Sequence, residues 1–286
     1  MMNNGTITGT ISGAARLAGV MGWPIGHSLS PRIHGYWLET LGIDGAYVPL
    51  AVAPENLADA LRALPKLGFA GVNITIPHKQ TALAALDHVD DLARRIGAVN
   101  TVTVGAGGTL AGSNTDAFGF IENLRAGAPR LEFGGAPVVI LGAGGAARGV
   151  AVALIDAGAA DIRLLNRTRA RAEALAGDLG GIEILDWRER ADALDGAALL
   201  VNTTSLGMTG AAALDLSLEK LPSSAVVNDI VYAPLQTPLL AAARARGNEV
   251  VDGLGMLLHQ ARPAFAAWFG AEPEVTPGLR DHILGP

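Results

Sequence analysis

A chain of 286 residues, 50% apolar and 17% charged, is long enough for two domains with separate cores and too apolar for a disordered or fibrous protein. Its net charge of −6 comes without any basic block, which argues against a nucleic-acid partner. The absence of cysteine excludes disulfides, thiolate nucleophiles and sulfur-ligated metal centres, so any redox chemistry belongs to a bound cofactor. Met1–Thr6 lacks the basic and apolar regions of a secretory signal, and no run reaches the ~18 apolar residues of a membrane span. A cytoplasmic protein with no membrane partner is expected.

Apolar runs of strand length alternate with helical periodicities, which predicts an α/β fold. The first series has strands at Leu17–Met21, Ala46–Ala51, Ala70–Thr75 and Ala98–Val104, with helices at Pro31–Leu41, Pro54–Leu64 and His78–Leu86. Gly105–Gly108 reads as a tight hairpin turn. Residues 1–115 form an expected substrate-binding domain, and the hinge is placed at Thr115–Asp116. The second series, residues 116–252, has strands at Pro137–Leu141, Asp161–Leu165, Ile182–Leu185, Ala197–Val201, Ala225–Ile230 and Glu249–Val251, with helices at Ala146–Ala157 and Arg169–Gly177. This is the rhythm of a Rossmann-like nucleotide domain. The apolar helix Gly255–Phe269 has no further strand to feed, so residues 253–286 are expected to pack back on the first domain. The leading segment Met1–Arg16 is expected to be flexible.

The motif with the clearest chemistry follows the strand Val138–Leu141. Gly142, Gly144 and Ala147 fit G-x-G-x-x-[G/A] between a strand and a helix, the arrangement that lays a dinucleotide pyrophosphate against a helix N-terminus. Ala143, Gly145 and Ala146 supply the intervening amides. A site for NAD wants an acid at the end of the second strand, about 20 residues on. Asn166-Arg167-Thr168 stands there, with Arg169 and Arg171 beyond it. A guanidinium pairs with a 2′-phosphate that a carboxylate repels, so NADP is favoured, with Arg167 the first choice. One of Arg169 and Arg171 fits a solvated helix face equally well.

The substrate side takes its meaning from four segments of the first domain: Gly22–Pro31 (GWPIGHSLSP), Asn73–Lys79 (NITIPHK), Gly97–Thr101 (GAVNT) and Asn114–Asp116 (NTD). Together with Gly142–Arg148, Asn166–Thr168 and Asp252–Gln260 (DGLGMLLHQ), they resemble the shikimate dehydrogenase family in sequence order. That resemblance covers about residues 19 to 269. It implies reversible NADPH-dependent reduction of 3-dehydroshikimate to shikimate, with Lys79 and Asp116 as the catalytic pair. By the same resemblance Ser28 and Ser30 contact the substrate carboxylate. Thr75, Asn100 and Gln260 bond its hydroxyls, Tyr232 lies near the nicotinamide and substrate, and Gly253 in the closing motif joins the cofactor set. No metal is implied, and the assembly is expected to be a monomer or homodimer.

Hydride delivery to a ketone builds negative charge on its oxygen, which an ammonium stabilises or protonates, and Lys79 suits that task with Asp116 to hold it. The expected helix at His78 would set Lys79 in a first turn, where the positive dipole end disfavours a second cation. Read alone, Lys79 also fits a surface lysine, and Asp116 a helix cap before Phe118. Ser30 before Pro31 is a good N-cap as well as a ligand, while Thr75 and Asn100 suit strand positions. His27 and His34, with no spaced carboxylate cluster, read as structural. Alternatives are a quinate/shikimate dehydrogenase with relaxed substrate or NAD use, a methylenetetrahydrofolate dehydrogenase-like enzyme, and a catalytically silent NADP-binding regulator. The first wants an acid where Asn166 and Arg167 stand. The second leaves Ser28, Ser30, Thr75 and Gln260 unexplained, and the third leaves Lys79 and Asp116 without a task.

Overall fold

A computed structural model describes residues 11–285. Their elements run β1 (Arg16–Gly22), α1 (Ser30–Thr40), β2 (Gly45–Ala51), α2 (Leu57–Ala63), β3 (Phe69–Ile74), β4 (His88–Val89), α3 (Asp91–Ile96), β5 (Thr101–Val104) and β6 (Leu110–Ser113). The chain continues through α4 (Asp116–Gly127), β7 (Val138–Leu141), α5 (Gly145–Asp156), β8 (Ile162–Leu165), α6 (Arg169–Leu179), β9 (Ile182–Leu185), β10 (Leu199–Asn202) and β11 (Val226–Asp229). It ends with α7 (Pro238–Ala245), β12 (Glu249–Val251), α8 (Gly253–Phe269) and α9 (Pro277–Leu284). Two compact units result: one runs to Thr115 and resumes at Ala261, and the other spans Asp116–Gln260. Helix α8 begins in the second unit and ends in the first.

The sheet of the first unit has the order β2-β1-β3-β5-β6-β4. β1 pairs in parallel with β2 and β3, whereas β5 runs antiparallel to both β3 and β6. The turn at Gly105–Gly108 does join two antiparallel strands. Buried Met21, Leu61, Val72, Ile74, Val99 and Val102 build the core on one side. On the other, Trp37, Phe265 and Trp268 surround the buried His34, and Trp268 Nε1 donates to Val102 O at 3.1 Å. The C-terminal part of α8 thereby seals the first sheet, and its apolar sequence is consumed by that burial.

The second unit holds a fully parallel sheet ordered β12-β11-β10-β7-β8-β9. Its strands are buried on both faces, which is why they read as continuous apolar runs such as Val138-Val139-Ile140-Leu141. Strand order reverses between β7 and β10, and ligands of such sheets bind outside the carboxyl ends at that switch point.

Several expectations are corrected. The helix expected at His78–Leu86 is a pair of turns followed by a 3-10 helix at Thr81–Ala85, so Lys79 sits in no α-helical first turn and the dipole argument for it lapses. The strand expected from Ala98 begins only at Thr101, because Asn100 spends its backbone on Ile74 and Ser113 outside a regular ladder. Ser30 is the first residue of α1 rather than its cap: Leu29 holds the N-cap position, and Ser28 Oγ accepts from Ser30 N at 3.3 Å. Of the segment Met1–Arg16 expected to be flexible, residues 1–10 lie outside the described residues. From Ser12 onward the chain is held, since Ser12 N donates to Asp44 Oδ1 at 3.1 Å and β1 opens at Arg16.

Candidate active site

The site residues expected from the sequence fall in both units. Ser28, Ser30, Thr75, Lys79 and Asn100 belong to the first, and Asp116, Tyr232, Gln260 and the cofactor set to the second.

Within the first unit the loop after β1 and the turn after β3 lie side by side. Trp23 N donates to Ile76 O at 3.1 Å, and a Cβ on Gly22 would stand 2.6 Å from Thr75 Cγ2. The carbonyl of Lys79 accepts from Val99 N at 2.8 Å, which anchors the lysine turn one residue away from Asn100. Behind these residues runs a buried polar chain. Tyr47 Oη donates to Asn73 Oδ1 at 2.7 Å, while Asn73 Nδ2 donates to Asn100 O at 3.0 Å and to Thr101 Oγ1 at 3.2 Å. Thr101 Oγ1 donates to Asn100 Oδ1 at 2.9 Å, Thr115 N donates to the same oxygen at 2.9 Å, and Asn100 Nδ2 donates to Thr115 Oγ1 at 2.9 Å. Burial pushes the Tyr47 hydroxyl well above the usual tyrosine range, against a smaller lowering by Ser30, so it stays a neutral donor. Tyr47, Asn73 and Thr115 are absent from the expected site set. Tyr47 stood in an apolar strand pattern, and only its pairing across the sheet reveals its partner.

His34 is fully buried, its ring stacked on Tyr47 with centroids 3.9 Å apart and planes 5° from parallel. Burial lowers its pKa to about 3, so the imidazole is neutral, and among the described residues neither ring nitrogen has a hydrogen-bond partner. The structural reading of His34 fits this setting. His78 is buried as well and donates from Nε2 to Val52 O at 2.7 Å.

In the second unit, Gly142 closes β7 with φ +106°, and a Cβ there would stand 2.6 Å from Thr203 Oγ1, so the position accepts glycine alone. Gly144 and Gly145 have no described atom within 4 Å of a Cβ position, and among the described residues no side chain caps α5. The first-turn amides of α5 are thus left to an external acceptor, which is the cradle a pyrophosphate requires. Ala147 is buried and lets α5 lie close to the sheet. At the end of β8, Asn166 Nδ2 donates to Thr168 O at 2.8 Å and shapes the turn that carries Arg167, which is exposed. Arg169 is engaged with Glu173 at 2.9 Å and so supplies the solvated helix face, leaving exposed Arg171 as the second candidate. These residues fit NADP.

A carboxylate organises the other side of the switch point. Asp229, 0% exposed, accepts from Asn202 Nδ2 at 3.0 Å, Val231 N at 3.1 Å and Thr237 Oγ1 at 2.7 Å. Asn202 Oδ1 in turn accepts from Thr204 N and Oγ1, and its amide donates to Leu206 O. Desolvation raises the Asp229 pKa, and the three donors oppose that rise. Tyr232, half-buried, follows on the same loop, and burial raises its hydroxyl pKa. Gly253 packs against the carbonyl of Ile230, which ties the start of α8 to the Tyr232 loop. Asp116 opens α4 within ordinary contact of Gly149, where an added Cβ would lie 3.7 Å from Asp116 Cβ. One turn later Gly119 faces Gln260, whose Cβ an added methyl would meet at 2.6 Å. That close approach sets the first turns of α4, which Asp116 opens, against the middle of α8, where Gln260 lies. No group of three or more His, Cys, Asp or Glu among the described residues is placed to hold a metal.

Comparison with known proteins decides the family. Residues 20–102 match the shikimate dehydrogenase substrate binding domain, and residues 127–209 match shikimate / quinate 5-dehydrogenase. The shikimate dehydrogenase (NADP(+)) of Paramagnetospirillum magneticum is 62% identical over 96% of this chain and 100% of its own length. The chain belongs to the shikimate dehydrogenase family. Two solved structures of that kind are similar throughout. Shikimate 5-dehydrogenase from Thermus thermophilus, in complex with NADP(H) and shikimate, superposes with TM-score 0.84 at 41% identity, covering 94% of this chain and 98% of that one. Quinate dehydrogenase from Corynebacterium glutamicum, in complex with NAD, gives TM-score 0.88 at 34% identity, covering 94% and 99%. Kinship with shikimate dehydrogenases over both units leaves no room for the methylenetetrahydrofolate dehydrogenase-like alternative. No helix among the described residues is long and apolar enough to cross a membrane.

Proposed function

We propose that the chain catalyses the reversible NADPH-dependent reduction of 3-dehydroshikimate to shikimate, with Lys79 and Asp116 as the catalytic pair. The observation that carries this reading is the 62% identity to a shikimate dehydrogenase (NADP(+)) along 96% of the chain. Bound NADPH supplies the hydride. Lys79 Nζ stabilises the charge that grows on the ketone oxygen and delivers the proton, and Asp116 Oδ orients the lysine and a substrate hydroxyl. Ser28 and Ser30 hold the carboxylate, and Thr75, Asn100 and Gln260 discriminate the hydroxyls as neutral partners that need no charge removed from water. Tyr232 lines the nicotinamide side. Gly142, Ala143, Gly144, Gly145 and Ala146 cradle the pyrophosphate, Asn166, Arg167, Thr168 and Arg171 take the 2′-phosphate end, and Gly253 keeps the Tyr232 loop in place. The enzyme works in the cytoplasm as a monomer or homodimer, without nucleic-acid or membrane partners.

The test is reduction of NADP and of NAD by purified protein with shikimate and with quinate in parallel. Turnover of shikimate with NADP, well above either alternative, is expected. A folded protein that turns over no shikimate sinks the proposal, and efficient quinate oxidation with NAD would move it to the quinate branch, where Asn166–Arg167 would then need another explanation.

A further inference from the structure

Gly119, Asn123 and Gly127 recur every fourth residue on one face of α4, and each meets the chain that leaves β12 and enters α8. A Cβ on Gly127 would stand 2.9 Å from Val251 Cγ2, and a Cβ on Gly119 would stand 2.6 Å from Gln260 Cβ and 2.7 Å from Met256 O. Between them lies Asn123, which is buried. Its Nδ2 donates to Asp252 O at 2.7 Å, and its Oδ1 takes up the space into which a Cβ on Gly255 would project. One carboxamide therefore holds the last residue before α8 by its amide and fills the notch over Gly255 by its oxygen. Residue numbers rise along α4 as they fall along this segment, so the two run antiparallel in a single register. The contacts at Gly119 and Gly127 permit close approach but carry no direction, whereas the Asn123 bond has a fixed donor and a fixed acceptor.

We propose that Asn123 is a positioning residue for substrate binding, fixing the register of α8 on α4 and through it the placement of the Gln260 side chain. The start of α4 is held independently, since Asp116 lies against Gly149 of α5. Helix α4 is thus the fixed partner, and α8 is the one that answers to Asn123. Gly119, one turn along α4 from Asn123, packs on the backbone at Gln260, so a slip of α8 is felt there directly. Loss of the carboxamide removes the bond to Asp252 O and opens the notch over Gly255, and both changes let α8 slide. This inference rests on the reading that Gln260 bonds a shikimate hydroxyl.

The experiment is steady-state oxidation of shikimate by the full-length protein, with shikimate and NADP varied in turn, comparing wild type with Asn123→Ala. The expected result is a rise of about fivefold in the KM for shikimate, with kcat and the KM for NADP each within about twofold of wild type. In a Gln260→Ala background the same substitution should raise that KM by less than about twofold, because its effect runs through Gln260. Gly255→Ala, whose methyl forces the carboxamide off Asp252 O, should reproduce the rise by itself and add little to Asn123→Ala. Should Asn123→Ala fail to fold, Asn123→Leu fills the same space without a donor, and the same selective rise is expected. An unchanged KM for shikimate, an equal change for both ligands, or a full effect in the Gln260→Ala background overturns the role of Asn123. A wild type that turns over no shikimate overturns the functional reading and this inference with it.

Discussion

The two units back their site residues with buried polar networks of opposite character. In the first, the chain from Tyr47 through Asn73, Thr101 and Asn100 to Thr115 contains only neutral groups and passes hydrogen-bond direction from one side chain to the next. In the second, Asn202, Val231 and Thr237 converge on the carboxylate of Asp229, which accepts from all of them. A neutral relay suits the recognition of hydroxyls, where each donor must meet an acceptor. An acceptor hub suits the fastening of loops, since it gathers the ends of β10, β11 and α7 at one point. Their acid–base responses are opposed too. His34, behind the relay, has a folded pKa far below its ordinary value, so the first unit has full stability above about pH 6.5 and loses it as the pH falls toward about 3. Asp229 has a raised folded pKa, so its contribution is full below the ordinary carboxylate value and is lost as the pH rises through the folded one.

The largest expected effect separates the units most sharply. Lys79→Ala should lower kcat by about 10²–10⁴-fold while NADP affinity, measured by fluorescence titration, stays near wild type. A collapse of cofactor binding would break the division of labour. Next, Asp229→Ala strips three donors of their acceptor and should destabilise the protein by about 3 kcal/mol in urea unfolding. A loss under about 1 kcal/mol would show that the hub is dispensable. His34→Phe should remove an acid-side loss of about 1.4 kcal/mol per pH unit between pH 6 and 4, read by hydrogen exchange of β3 amides, with β11 amides unaffected. Equal change in both strands would erase the contrast. The smallest effect is expected at Arg167→Ala, about tenfold weaker NADP binding with NAD binding unchanged, and parallel loss for both cofactors would remove Arg167 from the 2′-phosphate.

The parallel sheet of the second unit was legible because strands buried on both faces are uniformly apolar, and Gly142–Ala147 carries its own conformational requirement. The first unit was harder. Short β4 and the hairpin partner β6 lack a strand-length apolar run, and α4 was passed over because Gly119 and Gly127 dilute its pattern. Gly119 is there for the approach of Gln260, a reason that exists only in the packed structure. Of the residues outside the expected set, Asn73 lay inside a quoted motif, whereas Tyr47 carried no mark at all.

The sequence by itself therefore determined the fold class, the dinucleotide turn and the preference for a 2′-phosphate, because each depends on local periodicity, on a glycine no other residue replaces, or on the sign of a charge at a strand end. Only the tertiary structure decided that Lys79 stands in a turn, that Ser30 follows the cap of α1, and that Tyr47 and Asp229 anchor the two polar networks. Those outcomes depend on partners more than twenty residues away in the chain for Tyr47 and Asn73, and for Asp229 and Asn202. A buried hydroxyl or carboxylate acquires its role only when a sheet brings its donor or acceptor within hydrogen-bond reach.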